Sequence, residues 1–194
     1  MPEVLTWPAP PVRRGAVSIE PLTRELAGLD TVAYATSPDA IRRHSAGQWA
    51  TETFTVAENL PLIARHEAEH RAGVAFAYSL LDLGRDREVG CAYLRSLSTF
   101  QQRTGTRLVG SPRDLSCAAI ATFWLIDDAQ ARPDAETVVT ELESWIEAWG
   151  AAPAIFRCLS EETESVTALR RRGLTAVEAV DQQLPYRWFL RGCR

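Results

Sequence analysis

The sequence predicts a mixed α/β domain in which a central twisted β-sheet is flanked by helices. Strand-like and helix-like patterns follow one another along the chain, as in sheets that are covered by helices. Residues 117–126 (CAAIATFWLI) form a continuous apolar run, which favours a strand that is buried on both faces. Apolar residues between 138 and 149 recur at helical spacing, which predicts an amphipathic helix packed on the sheet.

The first half of the chain should contain an arm, a strand, helices and a hairpin. Thr55 and Glu58 have the spacing of a capping box, which predicts that a helix begins there. Alternating residues on both sides of the turn LGRDRE predict a β-hairpin. The expected segments are an extended Pro-rich arm at 1–14, a strand at 15–23, a helical stretch at 24–45 interrupted near Ser37, a helix from Thr55 to about Arg71, and strands at 74–82 and 89–97.

The second half should alternate between buried strands and helices. Residues 98–116 are polar and predict a long connection, with a short strand at 107–109. Pro133 is expected to start the amphipathic helix and Gly150 to end it. The expected segments are strands at 117–126 and about 152–159, helices at about 133–149 and from a cap at Ser160 to Gly173, and last strands at 174–180 and 185–192.

Composition restricts the function classes. The chain has 194 residues and a net charge of −4, so we expect one domain over 15–194 and no nucleic-acid partner. We expect no membrane association, because no apolar run approaches ~20 residues. We expect no secretory signal, because residues 1–15 contain no apolar h-region. The cysteines lack a C-x-x-C pattern, which favours reduced thiols in the cytoplasm. The absence of lysine excludes a Walker lysine and a Schiff base.

Residues 66–70 read HEAEH, which is the H-E-x-x-H helix signature of zinc hydrolases. His66 and His70 would share one helix face, with Glu67 as the general base. A catalytic zinc needs a third protein ligand, and the extended pattern places Phe76 at that position. We therefore disfavour a zinc hydrolase, expect no metal, and interpret the stretch as a polar helix face with paired charges.

Two local motifs resemble those of the GNAT N-acetyltransferase superfamily. In that family a strand is followed by Q/R-x-x-G-x-G/A and then directly by a helix. Here the strand ending at Ile126 is followed by QARPDA at 130–135, and a helix follows. Further along, residues 162–174 fit the family's N-x-x-A-x-x-x-Y-x-x-x-G-F frame, with Gly173 at the glycine. The resemblance covers about residues 16–185 and implies a GNAT-like sheet, with acetyl-CoA as a co-substrate.

The resemblance implies a pyrophosphate site at the start of the helix after 126. Backbone N–H groups and the helix dipole attract phosphate at such a position. Pro133 removes one N–H donor and Asp134 adds a negative charge, so the loop is degenerate, while Arg132 offsets that charge. The implied coenzyme-binding residues are Trp124, Leu125, Ile126, Gln130, Ala131, Arg132, Pro133, Asp134, Ala135 and Ser165.

The usual catalytic groups of the family are not evident in the sequence. Leu169 occupies the position of the tyrosine that protonates the leaving thiolate, and Glu162 occupies the position of the asparagine. Glu162 and Glu88 are weak candidates for a catalytic carboxylate. In GNAT-like folds the helix that carries HEAEH borders the acceptor site, so His66 and His70 are acceptor-site candidates.

The resemblance implies an acyl-CoA-dependent N-acyltransferase, most simply one that transfers acetyl to a small-molecule or peptide amine. The alternative is a catalytically degenerate GNAT-like domain that binds acyl-CoA or a protein partner. Pro133, Asp134 and Leu169 favour this alternative. Gln130, Arg132, Ala135 and the retained motif frame favour the enzyme. GNAT-like proteins are often dimers, so a homodimer is a further expectation.

Overall fold

A computed structural model describes residues 12–49, 55–109, 115–150 and 153–191 of the chain. The strands are β1 (Val12–Arg14), β2 (Val17–Pro21), β3 (Phe76–Leu81), β4 (Glu88–Ser96), β5 (Arg107–Val109), β6 (Ala119–Leu125), β7 (Ala154–Leu159), β8 (Leu174–Val180) and β9 (Tyr186–Arg191). The helices are α1 (Ala27–Ala35), α2 (Pro38–His44), α3 (Val56–Arg71), α4 (Leu97–Thr104), α5 (Ala135–Ala148) and α6 (Thr163–Arg171), with a 3-10 turn at Arg24–Leu26.

The described strands form one mixed sheet in the order β1-β2-β3-β4-β6-β7-β9-β8-β5. All neighbouring pairs are antiparallel except β6 and β7, which run parallel. The parallel pairing extends only from Ala119 opposite Ala154 to Ala121 opposite Phe156. Beyond Ala121, β6 stays paired with β4 and β7 stays paired with β9. The two central strands therefore separate from Thr122 and Arg157 onwards.

Helices cover both faces of the sheet, as the continuous apolar run in β6 requires. On one face, α5 and α6 pack through residues such as Leu142 and Leu169 against Phe123. On the other face, α1, α2 and α3 pack against Trp124, with Ile41 and Ile63 fully buried. Side chains of successive strand residues point to opposite faces, so Thr122 and Trp124 lie on the same side as α1 to α3.

Gly90 fixes the contact between β4 and the end of β6. A Cβ atom at this position would lie 2.1 Å from the Trp124 carbonyl oxygen, closer than any side chain tolerates. The backbone of β4 therefore approaches β6 as only glycine allows. This approach brings Cys91 and Tyr93 opposite Trp124 and Thr122 in the register.

The predicted fold class is confirmed, and most elements lie where the sequence placed them. The capping box forms, because the Thr55 side chain accepts from the Glu58 N–H while the Glu58 side chain accepts from the Thr55 N–H. No described helix is long and apolar enough to cross a membrane. Of the predicted arm at 1–14, residues 12–14 pair with β2, and residues 1–11 lie outside the described residues.

Three predicted boundaries were wrong. The connection at 98–116 contains α4, whose N-cap Ser96 accepts from the Thr99 N–H. Helix α5 begins at Ala135 rather than Pro133, because the Asp134 side chain caps it. Helix α6 begins at Thr163, with Glu162 and not Ser160 at its N-cap position.

Candidate active site

A cavity of about 360 Å³ lies where β6 ends and the helices α5 and α6 begin. We call it the helix-end cavity. Two helix N-termini facing one cavity create a positive electrostatic environment there. Its lining includes Trp124, Ile126, Arg132, Ala135, Glu164 and Ser165.

Arg132 is locked in place beside the helix-end cavity. Its guanidinium makes a two-point pair with Glu164, with distances of 3.0 and 2.7 Å, and its Nε donates to the Ile126 carbonyl at 2.6 Å. The Arg132 side chain is 6% exposed, whereas that of Glu164 is 57% exposed. The arginine is thus held by the backbone, while its carboxylate partner remains free to move into solvent.

Asp134 occupies the N-terminus of α5 with its own carboxylate. It accepts from the Thr137 N–H at 2.9 Å and from the Thr137 hydroxyl at 2.8 Å. The backbone hydrogen bond from Thr137 is the main reason that the pKa of Asp134 lies below its ordinary value. An acid that stays ionised therefore sits where an incoming phosphate would find the helix dipole.

A buried pair closes the inner end of the helix-end cavity. His44 Nδ1 lies 2.8 Å from Glu162 Oε1, and the side chains are only 8% and 7% exposed. The second Glu162 oxygen accepts from the Leu159 N–H at 2.6 Å. Helix α2 is thereby fastened to the end of β7, beside the point where β6 and β7 separate.

Two further cavities lie on the α1–α3 face of the sheet. The larger one, of about 440 Å³, is lined mainly by aromatic and apolar groups, and we call it the aromatic cavity. The smaller one, of about 130 Å³, contains two arginines, and we call it the arginine cavity. The aromatic cavity is lined by Leu22, Tyr34, Trp49, Ile63, His66 and Tyr93, among others, and the arginine cavity by His66, Glu69, Tyr93, Arg95, Thr122 and Arg157.

Tyr93 connects the three cavities. It lines both the aromatic and the arginine cavities, and its hydroxyl accepts from Trp124 Nε1 at 3.4 Å. Trp124 in turn lines the helix-end cavity. Burial is the main reason that the pKa of Tyr93 lies well above its usual value, so the phenol keeps its proton at neutral pH. Such a group is a proton donor positioned between the cavities.

His66 lies beside Tyr93, with the ring centroids 5.8 Å apart. Burial lowers the pKa of His66, although nearby Glu69 opposes the shift. The imidazole is therefore neutral at pH 7 and has a ring nitrogen able to accept a proton. His66 and Tyr93 form a neutral base and a neutral acid on one cavity wall.

The architecture matches solved N-acetyltransferase structures over nearly the whole chain. RimL, the ribosomal alpha-N-protein acetyltransferase in complex with coenzyme A, has a TM-score of 0.65 at 10% identity, covering 94% of this chain and 97% of its own. The microcin self-immunity acetyltransferase MccE, in complex with acetyl-CoA and AMP, gives 0.63 at 11% identity, with 97% of each chain covered. A GnaT-family acetyltransferase from Bordetella pertussis gives 0.59 at 13% identity, covering 94% of this chain and 99% of its own. The chain has the GNAT fold. No protein-family model and no curated protein sequence matches it.

Within the GNAT fold, the residues proposed for coenzyme binding divide into two groups. Six of the ten line the helix-end cavity: Trp124, Leu125, Ile126, Arg132, Ala135 and Ser165. The others form the loop and cap before α5, where the Gln130 N–H donates to Asp128 at 3.0 Å and Ala131 packs against the core. The role of all ten residues in coenzyme binding stays a prediction.

The HEAEH residues are separated by the structure. His66 lines two cavities, but His70 packs edge-on against Phe76, with a ring-centroid distance of 5.0 Å. Glu67 is held by Arg24, whose N–H donates to it at 2.9 Å. Within the described ranges, the one group of three side chains able to hold a metal lies elsewhere, at Asp30, Glu88 and Cys91.

The two candidate carboxylates occupy different sites. Glu162 lines the helix-end cavity with both oxygens engaged, as described above. Glu88 is 1% exposed and accepts from the Cys91 thiol at 3.1 Å. Burial raises the pKa of Glu88 well above its usual value, with the nearby Asp30 adding to the shift. Sequence reasoning missed Tyr93 and Arg157, because each lies in an ordinary strand pattern and only the sheet order brings them together.

Proposed function

We propose that the protein is an acyl-CoA-dependent N-acyltransferase, most simply one that transfers acetyl from acetyl-CoA to an amine. The carrying observation is the separation of β6 from β7 after Ala121 and Phe156. Beyond that point, the end of β6 lines the helix-end cavity, while Thr122 and Arg157 line the arginine cavity. RimL and MccE, which share the fold, are acetyltransferases seen with coenzyme A or acetyl-CoA.

In this proposal the helix-end cavity holds the coenzyme phosphates. Arg132 and the N–H groups at the start of α5 are the donors, and Glu164 leaves Arg132 when phosphate arrives. Arg43, which lines the cavity and pairs with Asp127 at 3.0 Å, adds positive charge. The pantetheine arm would then lie between β6 and β7, and an unpaired strand N–H would polarise the thioester carbonyl.

The amine approaches from the aromatic and arginine cavities. His66 takes a proton from the attacking nitrogen, and the new C–N bond forms as the C–S bond breaks. Tyr93 gives its proton to the departing thiolate, which is the task that the family assigns to the position occupied here by Leu169. The products are an amide and coenzyme A. Such a donor, together with the free cysteines of the described residues, favours a cytoplasmic protein.

A calorimetric titration with acetyl-CoA, followed by an assay of thiol release with a panel of amines, tests the proposal. We expect saturable binding in the micromolar range, about −8 kcal/mol, and thiol release that requires an amine. Tyr93→Phe should lower kcat about 100-fold without changing acetyl-CoA affinity. Tyr34→Phe, which removes another phenol from the aromatic cavity, is the matched control. Absence of acetyl-CoA binding would refute the proposal.

One observation favours the alternative of a non-catalytic module. The anion positions near the helix-end cavity are filled by the chain's own Glu164 and Asp134. If these carboxylates do not yield to phosphate, the domain would bind a protein partner, or acyl-CoA without turnover. Binding of acetyl-CoA with no thiol release by any amine, and identical behaviour of Tyr93→Phe, would support this alternative.

A further inference from the structure

The arginine cavity contains two cations that form no ion pair with the described residues. Arg95 projects from β4 and Arg157 from β7, and neither belongs to an ion pair in the described part of the chain. The Arg157 Nε is buried and has no hydrogen-bond partner. Every arginine of the helix-end cavity, in contrast, faces a carboxylate. An unpaired buried guanidinium is costly, and such groups mark functional sites.

The sheet register explains why the two arginines share a cavity. Arg95 lies opposite Ile120, and Ile120 lies opposite Ile155 in the next strand. Arg157 is two residues beyond Ile155, so its side chain emerges on the same face of the sheet as that of Arg95. The strands separate at this level, which leaves the space between them open. The cavity is therefore built into the centre of the sheet, beside Thr122 and Tyr93.

Aromatic rings hold Arg157 without neutralising it. Its guanidinium carbon lies 4.0 Å from the Tyr186 ring centroid and 5.0 Å from that of Phe100. Cation–π contacts offset part of the desolvation cost, while the buried Nε still has no hydrogen-bond partner among the described residues. Burial is the main reason that the pKa of both arginines lies below its ordinary value. Arg103 adds to the shift at Arg95, whereas Glu69 opposes it there and Tyr186 opposes it at Arg157.

Helix α3 contributes groups suited to an amine to the same cavity. Glu69 lies there, with one carboxylate oxygen 4.0 Å from His66 Nδ1. His66 and Tyr93 also line the aromatic cavity, which is large enough for an apolar side chain. The cavity thus combines a base and a carboxylate from α3 with two guanidinium groups from the strands. A ligand that matches it carries a positive or neutral amine and an anionic group.

We propose that Arg95 and Arg157 form an oxyanion subsite of the acceptor, so that the acceptor is a primary amine that also carries a carboxylate or a phosphate. This proposal rests on the proposed N-acyltransferase function. Arginine recognises both kinds of oxyanion through paired N–H donors. The amine of such an acceptor reaches His66, and its apolar portion enters the aromatic cavity.

Matched acceptors test the subsite in the wild-type protein. Phenylalanine is compared with phenylalanine amide, and phosphoethanolamine with ethanolamine, in the acetyl-CoA-dependent thiol-release assay. We expect kcat/KM to be about 10- to 100-fold higher for the anionic member of the pair that fits, because a charge-assisted hydrogen bond contributes about 1.5–3 kcal/mol. The pair that shows the preference separates a carboxylate acceptor from a phosphate acceptor. Equal use of anionic and neutral acceptors would overturn the proposal while leaving the N-acyltransferase function intact.

Variants assign the preference to the two arginines. Arg95→Gln should abolish the preference by raising KM for the anionic acceptor, with an unchanged KM for acetyl-CoA. Arg157→Gln should act in the same way, and Arg157→Lys, which keeps the charge, should retain part of the preference. Arg171→Gln, at an exposed arginine that ends α6 and does not line the arginine cavity, is the control. An equal loss of activity toward anionic and neutral acceptors in Arg95→Gln would argue against the subsite.

A binding measurement keeps the proposal testable when no transfer is detected. Benzoate and its neutral analogue benzamide are titrated calorimetrically into the wild type and Arg95→Gln. Benzoate binding that is at least 10-fold tighter than benzamide binding, and lost in Arg95→Gln, supports the subsite independently of catalysis. No difference between the two compounds contradicts it. Failure of acetyl-CoA to bind in the same experiment would instead count against the proposed function.

Discussion

The helix-end cavity and the arginine cavity both border the separated strands, but their arginines differ in whether they are paired with a carboxylate. In the first, Arg132 and Arg43 are paired with Glu164 and Asp127. In the second, Arg95 and Arg157 face no described carboxylate at ion-pair distance. A site with internally paired charges must break a pair before it binds an anion. A site with unpaired cations is organised for an anion in advance, at a cost to folding.

The largest effect should come from the buried pair that closes the helix-end cavity. His44→Ala leaves Glu162 buried with only the Leu159 N–H as a described partner. Removing one member of a buried pair costs about 3 kcal/mol, so the urea midpoint should fall markedly. Arg42→Ala removes an exposed pair with Asp39 on the same helix, with side chains 57% and 61% exposed, and should cost at most about 0.5 kcal/mol. Similar losses in both variants would show that the buried pair does not fasten α2.

Glu164→Gln tests whether internal pairing weakens phosphate binding. The substitution removes the negative partner of Arg132, whose Nε remains anchored to the Ile126 carbonyl. We expect acetyl-CoA to bind about 5- to 10-fold more tightly, since about 1 kcal/mol of competing interaction is removed. Calorimetry measures the change, with Glu161→Gln as the control at a neighbouring exposed carboxylate. Weaker binding in Glu164→Gln would mean that the pair positions Arg132 productively.

The histidines of α3 predict a pH dependence of stability. Burial lowers the pKa of His66 and of His70 from an ordinary value near 6.5. The unfolded chain then binds more protons between the lowered and the ordinary pKa, so this stability is present above pH 6.5 and is lost as pH falls through the folded-state pKa values. Urea unfolding at pH 7.5 and 5.5 should show a loss at the lower pH. The loss should be smaller in the double variant His66→Gln, His70→Gln, and an equal loss in both proteins would refute the assignment.

Local sequence patterns predicted the helices and strands well, because each helix or strand depends mainly on residues that are close in sequence. The capping box at Thr55 and the apolar stripe of α5 are examples, since both are complete within one helix. Helix α4 was missed because its sequence is polar, although its Ser96 cap and the left-handed Gly105 after it are recognisable signals. A search for caps rather than for apolar periodicity would have found it.

The site was only partly predictable, because it depends on contacts between distant segments. The proposed coenzyme side was predicted from a strand, a loop and a helix that are consecutive in sequence, and six of its ten residues line one cavity. The alternating pattern of a strand predicts only which face of the sheet a side chain lies on. This holds for Tyr93, Arg95 and Arg157. Their meeting depends on β4, β6 and β7 being neighbours and on β6 and β7 separating after three pairs. No local signal carries that information.

Asp134 allows the smallest and most specific test of the contrast between the two cavities. Asp134→Ser removes the charge at the start of α5 but keeps a side-chain oxygen able to accept from the Thr137 N–H. We expect stability to change by less than about 0.5 kcal/mol and acetyl-CoA to bind about 2- to 4-fold more tightly, as one like charge near the helix dipole is worth about 0.3–1 kcal/mol. Asp134→Ala removes the cap as well and should lose about 1 kcal/mol of stability. The gain in acetyl-CoA affinity should shrink at high salt, because salt screens exposed charges. A gain that does not depend on salt would point to a change of loop conformation instead.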